Sequence, residues 1–314
     1  MSDRPLSLFA RDGGGGLPHD APTAFARYES VRSRLPAAHY PATSQALPTL
    51  SEVAEHYDGF LLDAFGVLNI GDTAIPGAVA RMAELRRRGK RLAVLTNAAS
   101  YTRSQLLEKY HRLGFDFTEE EVTSSRDIAA AQLEQIAPGA RWAAFSAPGD
   151  TYADIGATLV DAIADPTAFD TADGFLFLST ARWSLAWQDR LHVALLRRPR
   201  PLVIANPDLV APNEAGLTLE PGLFGHMALD ATGVDLHWFG KPFKAAFEHA
   251  VARTGLPAAR LAMVGDTLHT DTIGGVASGC GTVLVTDHGL FKGHDVGGFI
   301  SASGIVPDYI IKST

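Results

Sequence analysis

Two aspartates, Asp63 and Asp266, each follow a short apolar run, at 60–62 and 261–264. Carboxylates so placed can share a hard divalent cation through oxygen, and magnesium in particular takes near-octahedral oxygen ligands while keeping some waters. Between them in the chain lie a hydroxyl and an amide, Thr96-Asn97, and an ammonium group, Lys241 in Gly240-Lys241-Pro242. A further acid, Asp271, closes the segment Gly265-Asp266-Thr267-Leu268-His269-Thr270-Asp271. The hydroxyl, amide and ammonium suit phosphate oxygens. The whole set suits phosphoryl transfer, where catalysis is mostly positioning and charge stabilisation. An aspartate can itself be the nucleophile and form an aspartyl-phosphate. Taken singly, each residue has a plainer explanation: Asp63 and Asp271 as turn or helix caps, Thr96-Asn97 as an N-cap, Lys241 as solvated surface. Their shared placement is what argues for chemistry.

That placement is set by the elements around them. Each segment sits where an apolar strand ends, and in open parallel sheets the carboxyl ends of the strands form the ligand crevice. Strands are expected at 60–62, 91–95 and 122–124, alternating with helices at 78–88, 103–113 and 126–136. Glycines 89 and 114 close two of those helices. The middle stretch, about 139–234, carries strands at 142–145, 174–178 and 202–205 and a helix at 185–197, with Pro138-Gly139 as a plausible boundary. The last stretch resumes the first pattern: Trp238-Phe239, a helix at 243–254 with Pro242 in its first turn, a strand at 261–264, a helix at 271–278 and a strand at 282–285. The fold class is therefore α/β, with parallel strands covered by helices, and one α/β unit is interrupted by another.

The length of 314 residues agrees, since about 100–200 residues per domain is usual. With 46 % hydrophobic and 20 % charged residues, wholesale disorder is excluded. A net charge of −8 argues against a nucleic-acid partner. The single cysteine, Cys280, excludes a disulfide framework within the chain and fits a reducing, cytoplasmic setting. No apolar run is long enough to span a membrane, and the first residues lack a secretory or transit-peptide pattern.

Together these segments make the chain resemble the haloacid-dehalogenase-like (HAD) hydrolase superfamily: a nucleophile-type aspartate, a threonine, a lysine, and Gly-Asp-x-x-x-x-Asp follow in the order of its four motifs. Thr96 follows Asp63 by only 33 residues, whereas Lys241 follows Thr96 by 145, room for a large cap. This spacing resembles class IIA, the NagD-like and nitrophenylphosphatase-like phosphatases. Further matches are Ile75-Pro76-Gly77-Ala78, Leu95-Thr96-Asn97, Asn206-Pro207-Asp208, Phe239-Gly240-Lys241-Pro242 and the segment ending Asp271-Thr272. The resemblance covers roughly residues 50–311. It implies a Rossmann-like core at 50–138 and 235–314, a C2-type α/β cap at 139–234, and an extension at 1–49 outside that plan. It further implies Mg2+ as cofactor and a small phosphorylated metabolite, such as a sugar phosphate, as substrate. Asp63 would be nucleophile and metal ligand, with the backbone carbonyl of Phe65 and Asp266 as further ligands and Asp271 orienting the metal's water shell. Thr96, Asn97 and Lys241 would hold the phosphoryl group, and Asn206 and Asp208 would lie near the leaving group.

The sequence departs from that family at one position. Phosphatases of the superfamily usually read Asp-x-Asp, the second aspartate protonating the leaving group; here the segment is Asp63-Ala64-Phe65-Gly66. A phenyl ring moves no proton, and general acid–base catalysis is typically worth about 10²–10⁴-fold. His269, Asp72 or a cap residue are the candidate substitutes. Dehalogenases of the superfamily carry an aromatic residue there, but they place their cap between the first two motifs. A protein that binds a phosphometabolite without useful turnover is the remaining alternative.

Other features have structural expectations. The basic run Arg86 to Arg88, with Lys90 and Arg91, reads as a solvated helix end. Gly274-Gly275 reads as close helix–sheet packing. Trp183 and Trp187 read as core or interface, and an exposed pair there would mark a homodimer face on the cap. Residues 1–20 read as flexible and 22–48 as an irregular extension with a short helix near 23–34.

Overall fold

The computed structural model describes residues 16–314 apart from Glu214 and Ala215; the glycine run before Gly16 lies outside the described residues. A seven-stranded sheet, every pairing of which is parallel, takes its strands in the order Gln45–Ala46, Tyr309–Ile311, Gly281–Val285, Leu261–Gly265, Gly59–Leu62, Arg91–Thr96, Val122–Ser124. Its central strands are buried along their length, because helices cover both faces and neither leaves room for polar side chains. The helix Ala78–Arg87 buries Ala78, Met82 and Leu85, the spacing of one helical stripe. The helix Arg103–Arg112 starts at Thr102, whose side chain and that of Gln105 each take the other's backbone N–H.

A second sheet is also parallel throughout, in the order Leu236–Trp238, Leu202–Ile204, Gly174–Phe177, Arg141–Phe145, Thr158–Asp161. Its first strand lies wholly beyond residue 234, the end expected for this unit. The helices Leu185–Arg197 and Pro221–Thr232 pack on it, and a hairpin, Val210–Asn213 with Gly216–Leu219, projects beside it. Trp183 packs on Phe145 and Phe177 at 4.5 and 4.6 Å, and Trp187 stacks on Phe169 at 5.6 Å. Both tryptophans are thus part of the packing of this unit. Gly274 and Gly275 hold the expected close packing: a Cβ at Gly274 would lie 2.2 Å from Phe247, and one at Gly275 would lie 2.8 Å from Thr282. Within the basic run, Arg86 pairs with Asp116 and Glu121, and Arg88 with Glu55 and Glu84.

Two expectations change. Pro242 follows a cis peptide and precedes the helix Lys244–Thr254, whose N-cap is Phe243, so it stands outside the first turn. The expected helix at 271–278 divides into a π-turn, Leu268–Thr272, and a short helix, Ile273–Ala277.

The leading segment is integrated into the fold. A helix, Ala21–Ser30, is capped by Asp20 and Thr23 and buries Ala21, Ala24 and Tyr28. These side chains join one apolar cluster with Leu209, Leu223 and Phe224 of the second unit and Leu268, Leu290 and Phe291 of the first. Gln45–Ala46 then adds an edge strand to the main sheet. Among the described residues, no helix is long and apolar enough to cross a membrane.

Candidate active site

The sheet brings the first two motifs together by register. The strand Gly59–Leu62 lies between Leu261–Gly265 and Arg91–Thr96, with Leu62 opposite both Val264 and Val94. Asp63, Asp266 and Thr96-Asn97 therefore leave the same sheet edge side by side. Asp63 N donates to Val264 O at 2.9 Å, extending the ladder by one rung before the chain turns away. Gly66, in the left-handed region at φ +77°, lets that turn pass Asp266: a Cβ there would lie 2.8 Å from the Asp266 side chain.

Asp63, Asp266 and Asp271 converge, each offering an oxygen within 4.8 Å of the others. Lys241 Nζ joins them, 2.6 Å from Asp63 Oδ1 and donating to Asp271 Oδ1 at 2.7 Å. Asp271 Oδ2 accepts from Thr267 N at 3.1 Å. Both of its oxygens are thus committed, which suits an orienting role more than direct ligation. Its fold-back requires Gly265, where a Cβ would lie 2.0 Å from the Asp271 carboxyl carbon. Asp266 accepts from Thr267 Oγ1 and from Leu290 N.

These acids are 9 % exposed or less. Burial raises Asp63 to about 6, against the pull of Lys241 and with the push of Asp271. Burial, then Asp63 and Asp271, raise Asp266 to about 8. Lys241 stays firmly protonated, because Asp271 and Asp63 outweigh its own desolvation. One ammonium does not balance three carboxylates. A divalent cation matches the excess, and three carboxylate oxygens within 4.8 Å of one another suit a hard cation that takes oxygen ligands. The acid pair also has a tight cradle: a Cβ on Gly289 would lie 1.9 Å from Asp266 Oδ2. The residues present fit such an ion.

Asn97 is the hub between the two units. Its Nδ2 donates to Lys241 O at 3.0 Å and to Asp208 Oδ1 at 2.8 Å, and its Oδ1 accepts from Lys241 N at 2.7 Å. Gly240, at φ +127°, clears the way, since a Cβ there would lie 2.5 Å from Asn97 Oδ1 and 2.6 Å from Pro207. Thr96 is buried, and its hydroxyl accepts from Ala98 N at 3.2 Å. Asn206 holds its own loop: its Oδ1 accepts from Asp208 N at 3.0 Å, and its Nδ2 donates to Glu220 at 3.1 Å. Of the two cap residues, only Asp208 reaches across to the catalytic unit through Asn97.

The Phe65 ring is occupied in its own way. Lys109 Nζ lies 5.1 Å from its centroid and 5.2 Å from that of Tyr101, and pairs with Asp72 at 3.3 Å. His269 is fully buried, with Nε2 2.5 Å from Glu29 Oε1 and its ring stacked on Tyr28 at 4.9 Å. Tyr28 and Glu29 were not among the residues expected near the site. Their one sequence signal was the short helical stretch at 23–34. A groove of about 680 Å³ between the helices Arg103–Arg112 and Ser125–Ile136 and the 154–156 loop holds none of the convergent residues.

Two family models match the chain: haloacid dehalogenase-like hydrolase over residues 60–153 and HAD-hydrolase-like over residues 238–313. A glycerol-3-phosphate phosphatase from Gallus gallus is 30 % identical over 84 % of this chain and 92 % of its own. Human chronophin is 31 % identical over 84 % of this chain and 93 % of its own. Among solved structures, a glycerol phosphate phosphatase from Mycobacterium tuberculosis in complex with magnesium superposes with a TM-score of 0.66 at 28 % identity, covering 83 % of this chain and 76 % of that one. A sugar-phosphatase-like structure from Cytophaga hutchinsonii gives a TM-score of 0.75 at 25 % identity, covering 86 % and 98 %.

Proposed function

Because the chain belongs to the haloacid dehalogenase-like hydrolases, we propose that it is a Mg2+-dependent phosphatase of a small phosphorylated metabolite, with Asp63 as nucleophile. The observation that carries this is the convergence of Asp63, Asp266, Asp271 and Lys241 at one sheet edge. Two of the relatives named above, the Gallus gallus and Mycobacterium tuberculosis phosphatases of glycerol phosphates, support a compact polyol or sugar phosphate as substrate. Mg2+, held by Asp63, the backbone carbonyl of Phe65 and Asp266, would neutralise charge on the phosphate and on its own ligands. Lys241 keeps Asp63 ionised against desolvation and faces a phosphoryl oxygen. Thr96 and the backbone of Asn97 complete the phosphoryl cradle, the Asn97 side chain being spent on both backbone groups of Lys241 and on Asp208. Asp63 attacks phosphorus in line with the leaving oxygen, and water then hydrolyses the aspartyl-phosphate. The division into a cap at 139–234 and a core at 50–138 and 235–314 is part of this reading, with one change: Leu236–Trp238 pairs within the cap sheet, so the boundary moves past residue 238.

A second reading rests on Phe65: a site that binds a phosphometabolite and turns it over poorly. A panel of phosphate monoesters assayed with and without Mg2+ decides between them. Magnesium-dependent phosphate release that vanishes in Asp63→Asn is the expected result. Binding of the same esters with no Asp63-dependent release would leave the second reading standing.

A further inference from the structure

We propose that Asp208, on the cap loop Asn206-Pro207-Asp208, is the general acid and then the general base of this hydrolysis, in the place of the carboxyl that Phe65 lacks. The inference rests on the phosphatase reading above.

His269, Asp72 and Lys241 are placed elsewhere, and Glu220 is held on the far side of Asn206 from Asp208, accepting from Asn206 Nδ2 and Thr218 Oγ1. His269 is sealed beneath the N-terminal helix between Glu29, Tyr28 and Phe25. Asp72 has a side chain 82 % exposed and paired to Lys109, which itself covers Phe65. Lys241 is committed to Asp63 and Asp271. Asp208 descends from the cap, the side from which a leaving group departs when Asp63 attacks in line from the core. Its Oδ1 accepts from Asn97 Nδ2 at 2.8 Å, so the carboxyl stands one amide away from the Lys241 backbone and the phosphoryl cradle. Its second oxygen is uncommitted among the described residues.

The loop that carries it is fixed from several directions. Asp208 N donates to Asn206 Oδ1 and Gly222 N donates to Asp208 O, each at 3.0 Å. Leu209 N donates to Tyr28 Oη at 3.0 Å. Gly222 sits so close that a Cβ would lie 2.0 Å from Pro207 O. Such a carboxyl needs little reorganisation to act. The charged groups that act on it through space are Lys241, Asp63 and Asp271 of the core; Asn97 is hydrogen-bonded to it, and it acts in turn on Tyr28 of the N-terminal helix. Desolvation, opposed by Lys241 and Asn97 and reinforced by Asp63 and Asp271, holds it well above the usual carboxylate range. It can therefore carry a proton where an exposed aspartate would not.

The step balances as follows. The Asp63 Oδ–P bond forms as the P–O bond to the alcohol breaks, and the Asp208 proton passes to the departing oxygen, releasing the free alcohol. Asp208, now a carboxylate, takes a proton from water as that water attacks phosphorus. The Asp63–phosphorus bond then breaks, leaving inorganic phosphate and a reprotonated Asp208.

The test compares wild type, Asp208→Asn and Asp72→Asn on alkyl and nitrophenyl phosphate monoesters with Mg2+. A donor matters for a poor leaving group and little for a good one. Asp208→Asn is expected to lower kcat on the alkyl ester about 10²–10³-fold. It should lower kcat on the nitrophenyl ester less than about tenfold and remove the basic limb of the alkyl pH profile. An equal loss on both esters, as for a mere cap anchor, would overturn the proposal, and so would the same split in Asp72→Asn. If Asp208→Asn does not fold, the wild-type dependence of kcat/KM on leaving group decides: shallow is expected, and a steep fall toward alkyl esters overturns it. Absence of any Asp63-dependent turnover in wild type is the separate failure of the phosphatase reading.

Discussion

At the scale of single residues, the site is a problem in charge. Three carboxylates and one ammonium are packed at the carboxyl ends of the strands with almost no access to water, and two of the acids and the nearby Asn97 abut glycines that cannot be enlarged. Gly66, Gly240, Gly265 and Gly289 all stand where a Cβ would strike Asp266, Asn97 or Asp271. Phe65 is the residue that breaks the expected pattern, and its ring is packed under Lys109 rather than left empty. If Asp208 already donates the proton, a second acid has little to add. Phe65→Asp is therefore expected to change alkyl-ester turnover by less than about tenfold, against the 10²–10⁴ usual for supplying a missing acid. A larger gain in steady-state kinetics would mean the donor position stands empty in the wild type.

At the scale of elements, the N-terminal helix Ala21–Ser30 and the turn after it join the two units. Tyr28 receives the Leu209 N–H, Glu29 meets His269 of the π-turn, and Arg34 reaches His226 and Asp230 on the helix Pro221–Thr232. Both histidines are buried at these joints. Desolvation, with Arg34 and Arg27 adding, lowers His226 to about 3; desolvation lowers His269 to about 4 despite Glu29. Their folded values lie below the unfolded value near 6.5, so the unfolded chain binds the extra protons. The stability they carry is complete above about pH 6.5 and is lost as pH falls toward their folded values. On the order of 1–2 kcal/mol per histidine should go between pH 6.5 and pH 5, at about 1.4 kcal/mol per pH unit. Urea titrations at the two pH values check this, with His226→Asn expected to flatten part of the difference. An unchanged pH dependence in that variant would contradict it.

At the scale of the whole molecule, two parallel sheets meet over the catalytic edge. They are held by Asn97 to Asp208, by the N-terminal helix, and by Arg126, which is fully buried and pairs with Asp150 and Asp154. The carboxylate cluster is costly while unbalanced, and a divalent cation bound to the folded chain alone relieves it. Magnesium at about 100 times its Kd should stabilise the fold by about 2.7 kcal/mol. Thermal melts with magnesium and with chelator check this, and Asp266→Asn should lose most of the shift. An equal shift in that variant would remove Asp266 from the ligand set.

The alternation of apolar runs and amphipathic stretches determined most strands and helices of both sheets, because burial on two faces writes a continuous apolar run and burial on one writes a helical stripe. Motif order and spacing likewise pointed to Asp63, Asp266, Asp271 and Lys241 as one set: Asp63 and Asp266 directly follow strands, and Lys241 and Asp271 lie in the segments just beyond strand ends. The packing of one element on another was decided only by the tertiary structure. Residues 22–48 read as an irregular extension with a short helix, but their few apolar side chains find a cluster shared by both units. The pair Asn206 and Asp208, equal in sequence, divided into a loop holder and a carboxyl facing the core. His269 and Asp72, equal candidates for a missing acid, were turned to Glu29 and Lys109 by contacts from segments 240 and 37 residues away in the chain. Local pattern encodes what a residue's own element needs; which partner it meets depends on distant elements arriving, and no local spacing records that.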